Sequence, residues 1–347
     1  MTSPSSSSSS AAAPRARPLA ERLEGLLFFP VTAYGPDGAV DLDVFRRHVR
    51  AGLDAGAGAV FACCGTGEFH ALAPQEFAEC VAAAVDETGG RVPVVAGTGY
   101  GTALACQFAS LAEEAGADGL LAMPPYLVVP SQEGLLRHYR TLAGCTGLDV
   151  VVYQRDNALF APSTVASLAR TPGIVGLKDG HGDLDLMQRI ISAVRTEAGE
   201  ETAGAFRYFN GLPTAEQTGL AYRGLGVTLY SSAVFCFAPE IALAFHRALT
   251  TGDDATVNRL LDGFFRPLVE LRAKGRGYAV SLVKAGVRLR GLDVGEVRPP
   301  LSEPSGAHLR ELAELIERGL ELAADSEPAG GPGAESGTGS VGGAGAR

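Results

Sequence analysis

Residues 173 to 183 read GIVGLKDGHGD, an apolar run of Ile174, Val175 and Leu177 that closes on Lys178, with Asp179, Asp183 and Asp185 just beyond. Lysine is rarely buried without a partner. At the mouth of an apolar enclosure, desolvation disfavours the ammonium form, and a neutral amine can attack a ketone to form an iminium that draws electrons from neighbouring carbons. Tyr153 ends the preceding apolar run, DVVVYQ, where its hydroxyl can relay protons to and from such an iminium. Position alone equally allows Lys178 to pair with Asp179, and Tyr153 to be a rim tyrosine with only its hydroxyl wet.

Other polar residues stand at the ends of apolar runs. The turn CCGTGEF, Cys63 to Phe69, offers the backbone N–H groups of Gly65 and Thr66, with the Thr66 hydroxyl, as a cradle for a carboxylate; the alternative is a tight turn with no ligand. Arg155 follows Tyr153 by two residues, and a guanidinium grips a carboxylate with two parallel hydrogen bonds; a solvated arginine on the same loop is the alternative. Asn157, Asn210 and Ser231 complete the set that could hold a distal carboxylate or hydroxyls. Two further motifs carry less. VVAGTGYGT has Thr102 where a dinucleotide turn needs glycine, and DGHGDLD, which could ligate a divalent metal, reads better as an acidic helix start favoured by the macrodipole.

Composition narrows the classes. The chain has 347 residues, 46% hydrophobic, and a net charge of −10 with a pI near 5.2. That size supports a substantial core, and that charge argues against non-specific nucleic-acid binding, which needs a basic face. No apolar stretch is long enough to span a membrane, and the N-terminal residues lack the apolar core of a secretory signal. The six cysteines form no C-x-x-C pair and lie mostly in apolar contexts, where a thiol behaves as a small hydrophobe. A cytoplasmic protein is expected.

These residues need a scaffold, and the apolar pattern supplies one. Eight short runs, LLFFPVT, AVFACC, VPVVAG, DGLLAMP, DVVVYQ, GIVGLKD, FRYFNG and GVTLYSS, alternate with helical patterns such as Leu42, Phe45, Val49 and Leu53. Eight strand–helix units predict an α/β fold, a (β/α)8 TIM barrel with a C-terminal helical extension, and chemistry in such a barrel collects at the strands' C-terminal ends. The expected organisation is a disordered tail over 1–20, the catalytic barrel over 21–250, a helical region over 251–325 and a second disordered tail over 326–347, the tails having too little to bury to offset their ordering entropy.

The stretches GTGEF, PPYLVVPSQEGL, VVYQRDNA, GLKDGHGD, FNGLPTAE and GVTLYSSAVF, in this order, resemble the dihydrodipicolinate synthase and N-acetylneuraminate lyase superfamily over roughly residues 25 to 310. The resemblance implies a class I aldolase-type barrel in which Lys178 forms a Schiff base with a 2-oxo acid, assisted by Tyr153, while Gly65 and Thr66 bind the carboxylate beside the ketone. It implies no metal, no organic cofactor and a homo-oligomer, a dimer or tetramer. The sequence departs from the synthase branch at Gly65-Thr66, where two threonines are usual, at Leu127, where a second tyrosine is usual, and at Gln154-Arg155-Asp156-Asn157 in place of a single asparagine. The last feature is similar to a dehydratase branch, although Cys64 stands where glycine is expected and Cys236 where asparagine is.

That branch implies a small-molecule partner, a keto-deoxy sugar diacid that loses water and carbon dioxide, with Lys178, Tyr153 and Thr66 catalytic and Gly65, Arg155, Asn157, Asn210 and Ser231 binding substrate. The rivals are a pyruvate-type aldolase of the same superfamily and a non-catalytic sugar-acid-binding barrel.

Overall fold

The computed structural model describes residues 18–326. Strands β1 (Leu27–Phe28), β2 (Ala59–Ala62), β3 (Val94–Thr98), β4 (Gly119–Ala122), β5 (Asp149–Gln154), β6 (Ile174–Asp179), β7 (Arg207–Asn210) and β8 (Leu229–Ser232) pair in parallel, each with the next. β8 returns to β1 to close the barrel. All eight coincide with the apolar runs of the sequence.

The helices, in chain order, are α1 (Leu19–Arg22), α2 (Leu42–Asp54), α3 (Pro74–Thr88), α4 (Thr102–Glu114), α5 (Gln132–Gly144), α6 (Pro162–Ala169), α7 (Leu184–Ala193), α8 (Glu200–Ala205), α9 (Gly219–Gly224), α10 (Pro239–Thr251), α11 (Asp254–Leu260), α12 (Arg266–Ala273), α13 (Tyr278–Leu289) and α14 (Gly306–Ala324). Local chemistry fixes where several begin. Asp41 accepts a hydrogen bond from Val44 N–H at α2, Ser131 from Gly134 N–H at α5, Asp183 from Leu186 N–H at α7 and Ser305 from His308 N–H at α14, each satisfying a donor the helix leaves open. Asp183 therefore serves the helix start.

Strand periodicity sorts the side chains into two cores. Phe28, Val60, Ala96, Leu120, Val150, Val152 and Leu177 face the helices. Leu27, Phe29, Ala59, Phe61, Val95, Leu121, Val151, Tyr153 and Phe209 fill the barrel. The expected tail over 1–20 is corrected at its inner end: Leu19 is 2% exposed and joins Leu23 in the barrel cluster, closing the end away from the strand C-termini. The Leu19 N–H donates to Asp149 at 3.1 Å, and burying one such leucine stabilises by roughly 1.5–3 kcal/mol. At the other terminus, Ser326 accepts a hydrogen bond from Arg259. The remainder of both expected tails, 1–17 and 327–347, lies outside the described residues.

The cysteine reading needs a second correction. Cys63, Cys64, Cys80 and Cys236 are buried free thiols, but Cys106 on α4 and Cys145 just after α5 form a disulfide. Adjacent barrel helices bring their Cα atoms to 6.0 Å across 39 residues of sequence, a proximity no local spacing reveals.

The C-terminal helices reach back to the catalytic end of the barrel. Lys284 of α13 is wholly buried and donates to Glu68, in the turn after β2, at 2.9 Å, and to the Glu296 carbonyl at 2.7 Å. Its ammonium lies 3.9 Å from the centre of the Tyr34 ring. Glu68 also accepts from the Arg298 N–H, so α13 and the segment leading from it to α14 clamp the loop that carries Gly65 and Thr66.

Candidate active site

Lys178 and Tyr153 are register partners on β6 and β5, so both side chains point into the barrel at its C-terminal end. Lys178 is 6% exposed and its Nζ lies 4.1 Å from the Phe29 ring centre and 4.8 Å from that of Tyr153. Desolvation by this apolar wall is the main cause that brings its ammonium down to about 8, and Arg155 pushes the same way.

Asp179, the suspected partner, faces the other side of the strand. Its carboxylate accepts from Gln154 at 3.0 Å, from the His181 N–H at 2.9 Å and from the Tyr222 hydroxyl. Among the described residues Lys178 makes no ion pair. The corrected reading follows from strand alternation, which turns adjacent residues to opposite faces.

Two glycines shape the space around the pair. A Cβ at Gly211 would sit 2.5 and 2.6 Å from Lys178 side-chain carbons, and one at Gly180 would sit 2.8 Å from the Tyr153 hydroxyl oxygen. Both positions need the missing side chain for close approach. The Tyr153 hydroxyl donates to the Gly211 carbonyl at 2.9 Å, and an Arg155 nitrogen lies 3.5 Å from the same hydroxyl. Burial raises the Tyr153 hydroxyl and Arg155 counters it, leaving a protonated phenol beside a desolvated amine.

These groups open on a cavity of about 210 Å³ lined by Phe29, Gly65, Thr66, Tyr153, Arg155, Lys178, Thr214, Ser231, Ala233, Arg272 and Val280, among others. It is smaller than the roughly 300–1,000 Å³ of drug-sized ligand sites and suits a small acid. Larger clefts at the opposite end, around Glu21, Phe206 and Arg207, lack any of the strand C-terminal residues. In the cradle, neither the Gly65 nor the Thr66 N–H finds a backbone acceptor among the described residues, and the Thr32 hydroxyl fastens the turn by donating to the Gly67 carbonyl at 2.6 Å.

Of the residues singled out from sequence, Lys178, Tyr153, Thr66, Gly65, Arg155 and Ser231 meet at this cavity. Asn157 and Asn210 do not. The Asn157 amide donates to the Pro125 carbonyl at 2.8 Å and to that of Val128, holding the loop after β4. The buried Asn210 amide donates to the Ala215 carbonyl at 2.9 Å and the Thr218 hydroxyl at 2.8 Å, while its oxygen accepts from the Leu212 N–H. A polar residue at a strand end has two possible employers, the substrate and the following loop, and the loop holds these two.

The residues missed from sequence are Arg272 and Thr214, which line the cavity, and Glu216, which lies close by. Arg272 comes from α12, outside the barrel repeat, and donates to the Thr214 hydroxyl at 2.5 Å. Glu216 is 1% exposed and neither of its oxygens makes a hydrogen bond; burial pushes its carboxyl up to about 7, with Ser232 and Arg272 opposing.

Comparison with known proteins places these features in context. The model of the dihydrodipicolinate synthetase family matches residues 22–318. Over 308 residues the chain is 75% identical to a protein of Streptomyces avermitilis named probable 5-dehydro-4-deoxyglucarate dehydratase 1, covering 88% of this chain and 97% of that one. A Bradyrhizobium diazoefficiens protein named probable 5-dehydro-4-deoxyglucarate dehydratase is 45% identical over 295 residues, covering 85% and 91%. Among solved structures, dihydrodipicolinate synthase from Bacillus clausii superposes with a TM-score of 0.79 at 26% identity, covering 86% of this chain and 99% of that one.

Proposed function

Because the chain belongs to the dihydrodipicolinate synthetase family, we propose that Lys178 forms a Schiff base with the ketone of 5-dehydro-4-deoxyglucarate and that the enzyme, a decarboxylating hydro-lyase, releases 2,5-dioxopentanoate, carbon dioxide and water. The observation that carries this reading is the unpaired, desolvated Lys178 facing a cavity that also holds the Tyr153 hydroxyl and the free N–H groups of Gly65 and Thr66. The high identity to proteins named for that dehydration selects the substrate.

The substrate is a six-carbon diacid with a ketone beside one carboxylate, then a methylene, two hydroxyl-bearing carbons and the far carboxylate. Gly65 and Thr66 take the near carboxylate. Neutral Lys178 adds to the ketone and water leaves to give the iminium. The iminium acidifies the methylene; an assisting base takes its proton, and the adjacent hydroxyl leaves as water, protonated by Tyr153. The resulting conjugated iminium withdraws electrons through two double bonds from the carbon that bears the far carboxylate, which leaves as carbon dioxide. Protonation, tautomerisation of the enol to an aldehyde and hydrolysis release the product and restore the amine. No electron is gained or lost overall, so the sequence requires no redox cofactor. Arg155 beside Tyr153 and Ser231 across the cavity orient the substrate; Asn157 and Asn210 act by holding the loops.

A cytoplasmic homo-oligomer, dimer or tetramer, belongs to the same proposal. Assembly is supported by the apolar run on the loop after β4, where Tyr126, Leu127 and Val129 are 65%, 83% and 88% exposed, a patch of the kind that assembly covers. No described helix is long and apolar enough to cross a membrane.

The deciding experiment follows 5-dehydro-4-deoxyglucarate by NMR with purified protein. Equal amounts of 2,5-dioxopentanoate and carbon dioxide are expected. Pyruvate with an aldehyde would place the protein among the aldolases, and tight binding without turnover or a borohydride-trapped adduct would make it a sugar-acid-binding barrel.

A further inference from the structure

We propose that Arg272 reads the far carboxylate, so that a C-terminal helix outside the barrel repeat sets the preference for a diacid over a monoacid. The inference rests on the Schiff-base reading of the same cavity.

A diacid brings two negative charges into a site whose near-carboxylate cradle is made of neutral N–H groups. The second charge needs a cation, and the cavity wall has two candidates, Arg155 and Arg272. Arg155 is already engaged, donating through Nε to Asp156 at 3.1 Å and lying against the Tyr153 hydroxyl. Arg272 is different. Among the described residues no carboxylate lies within ion-pairing distance of it, and its one hydrogen bond goes to Thr214. Most of the five N–H donors of a guanidinium thus remain uncommitted.

The surroundings sharpen that contrast. Glu216 is the acid nearest in effect to Arg272, but it is buried without a hydrogen bond, and burial favours its neutral form. Arg155 and Arg272 both line the cavity and the Arg155 charge presses on the Arg272 cation, a positive field inside a chain of net charge −10. Ala233, Ala279 and Val280 line the same wall and lower the local dielectric, which strengthens any ion pair formed there. Thr214 holds Arg272 from a left-handed backbone conformation, φ +60°, fixing one edge of the guanidinium and leaving the remainder free for a bidentate partner.

The chemistry limits how tight the grip should be. A carboxylate held more firmly in the ground state than in the transition state departs more slowly as carbon dioxide, so an arginine here contributes mainly to binding and orientation. Its loss should raise KM far more than it lowers kcat.

The test uses borohydride trapping with two six-carbon 2-oxo acids, the diacid 2-oxoadipate and the monoacid 2-oxohexanoate. The wild-type protein should trap the diacid at the lower concentration. Arg272→Gln should reduce the diacid-to-monoacid preference by about 10- to 100-fold, the range of one charged hydrogen-bonded contact. Arg272→Lys should restore part of it, and Thr214→Ala should give an intermediate loss. An unchanged preference in Arg272→Gln would overturn the proposal, whereas absence of any adduct from the wild-type protein would instead overturn the Schiff-base reading.

Wild-type protein supplies a measurement that no misfolded variant can obscure. Modification of Arg272 by phenylglyoxal, read by peptide mass, should be slowed by 2-oxoadipate and not by 2-oxohexanoate. Equal protection by the two acids, or by neither, would count against Arg272 as the reader of the second charge.

Discussion

Lys178 and Lys284 are both buried, and in both desolvation brings the ammonium down to about 8, yet their company differs. Lys284 is enclosed by the Glu68 carboxylate, the Glu296 carbonyl and the Tyr34 ring. Lys178 has aromatic faces and an open cavity, and no carboxylate. A perturbed lysine is therefore not by itself a nucleophile. Burial makes the amine available as a base or nucleophile, and the absence of a counter-charge together with access to a ligand decides whether chemistry uses it. The enclosed lysine instead anchors the C-terminal helices to the turn that carries the carboxylate cradle.

The comparison breaks most sharply on covalent trapping. Lys178→Ala should remove the borohydride-trapped adduct and reduce turnover by about four to six orders of magnitude, the scale seen when an enzyme loses its nucleophile. Peptide mapping of the wild-type adduct should place the added mass on Lys178; mass on Lys284 would invert the assignment. Lys284→Met should instead act on folding. Removing one partner of a buried pair leaves the other charge uncompensated, at a cost of about 3–5 kcal/mol, measurable by urea unfolding. Glu68→Gln in the same chain should recover much of that loss, because the stranded charge is gone, and failure to recover would mean that Lys284 is held by its other contacts.

A smaller change sharpens the contrast from within the cavity. Gly211→Ala puts a methyl group into contact with the Lys178 stem. A displacement of about 1 Å in a catalytic group lowers turnover by about 100-fold, so kcat/KM should fall by that order. Adding a methyl to an open face such as Gly144, where nothing lies within 4 Å, should leave kcat/KM within about twofold, its effect on stability staying within the roughly ±0.5 kcal/mol usual for surface sites.

The barrel was legible because its signal is repeated: each strand is a short apolar run, and each run ends in the layer where chemistry occurs. Lys178, Tyr153, Gly65, Thr66, Arg155 and Ser231 could be placed by that rule alone. The rule overreached at Asn157 and Asn210, since sequence cannot say whether an amide at a strand end faces ligand or its own loop. It was silent on Arg272, which sits in a helix after the repeat has ended, among other charged residues that face solvent. The 216 residues between Lys284 and Glu68, like the 39 between the bridged cysteines, carry contacts fixed only when the barrel closes.

The mildest test compares the lysines through pH. If the neutral form of Lys178 is the nucleophile, adduct formation should rise about tenfold per unit below about 8 and level off above it, because the fraction of free amine saturates there. A lysine at its ordinary value would keep gaining to beyond about pH 10. Initial rates of trapping, with borohydride added at early times across roughly pH 6 to 10, separate the two. Cys64 gives the profile a second use: burial pushes this thiol up to about 12, so across the titration of Lys178 it is an uncharged neighbour. Cys64→Ala should therefore leave the bend where it is, because it removes no charge. A bend moved to lower pH by Cys64→Ala would mean that a thiolate shares the charge of Lys178, and a bend that moved with Lys284→Met would transfer the titration to the enclosed lysine.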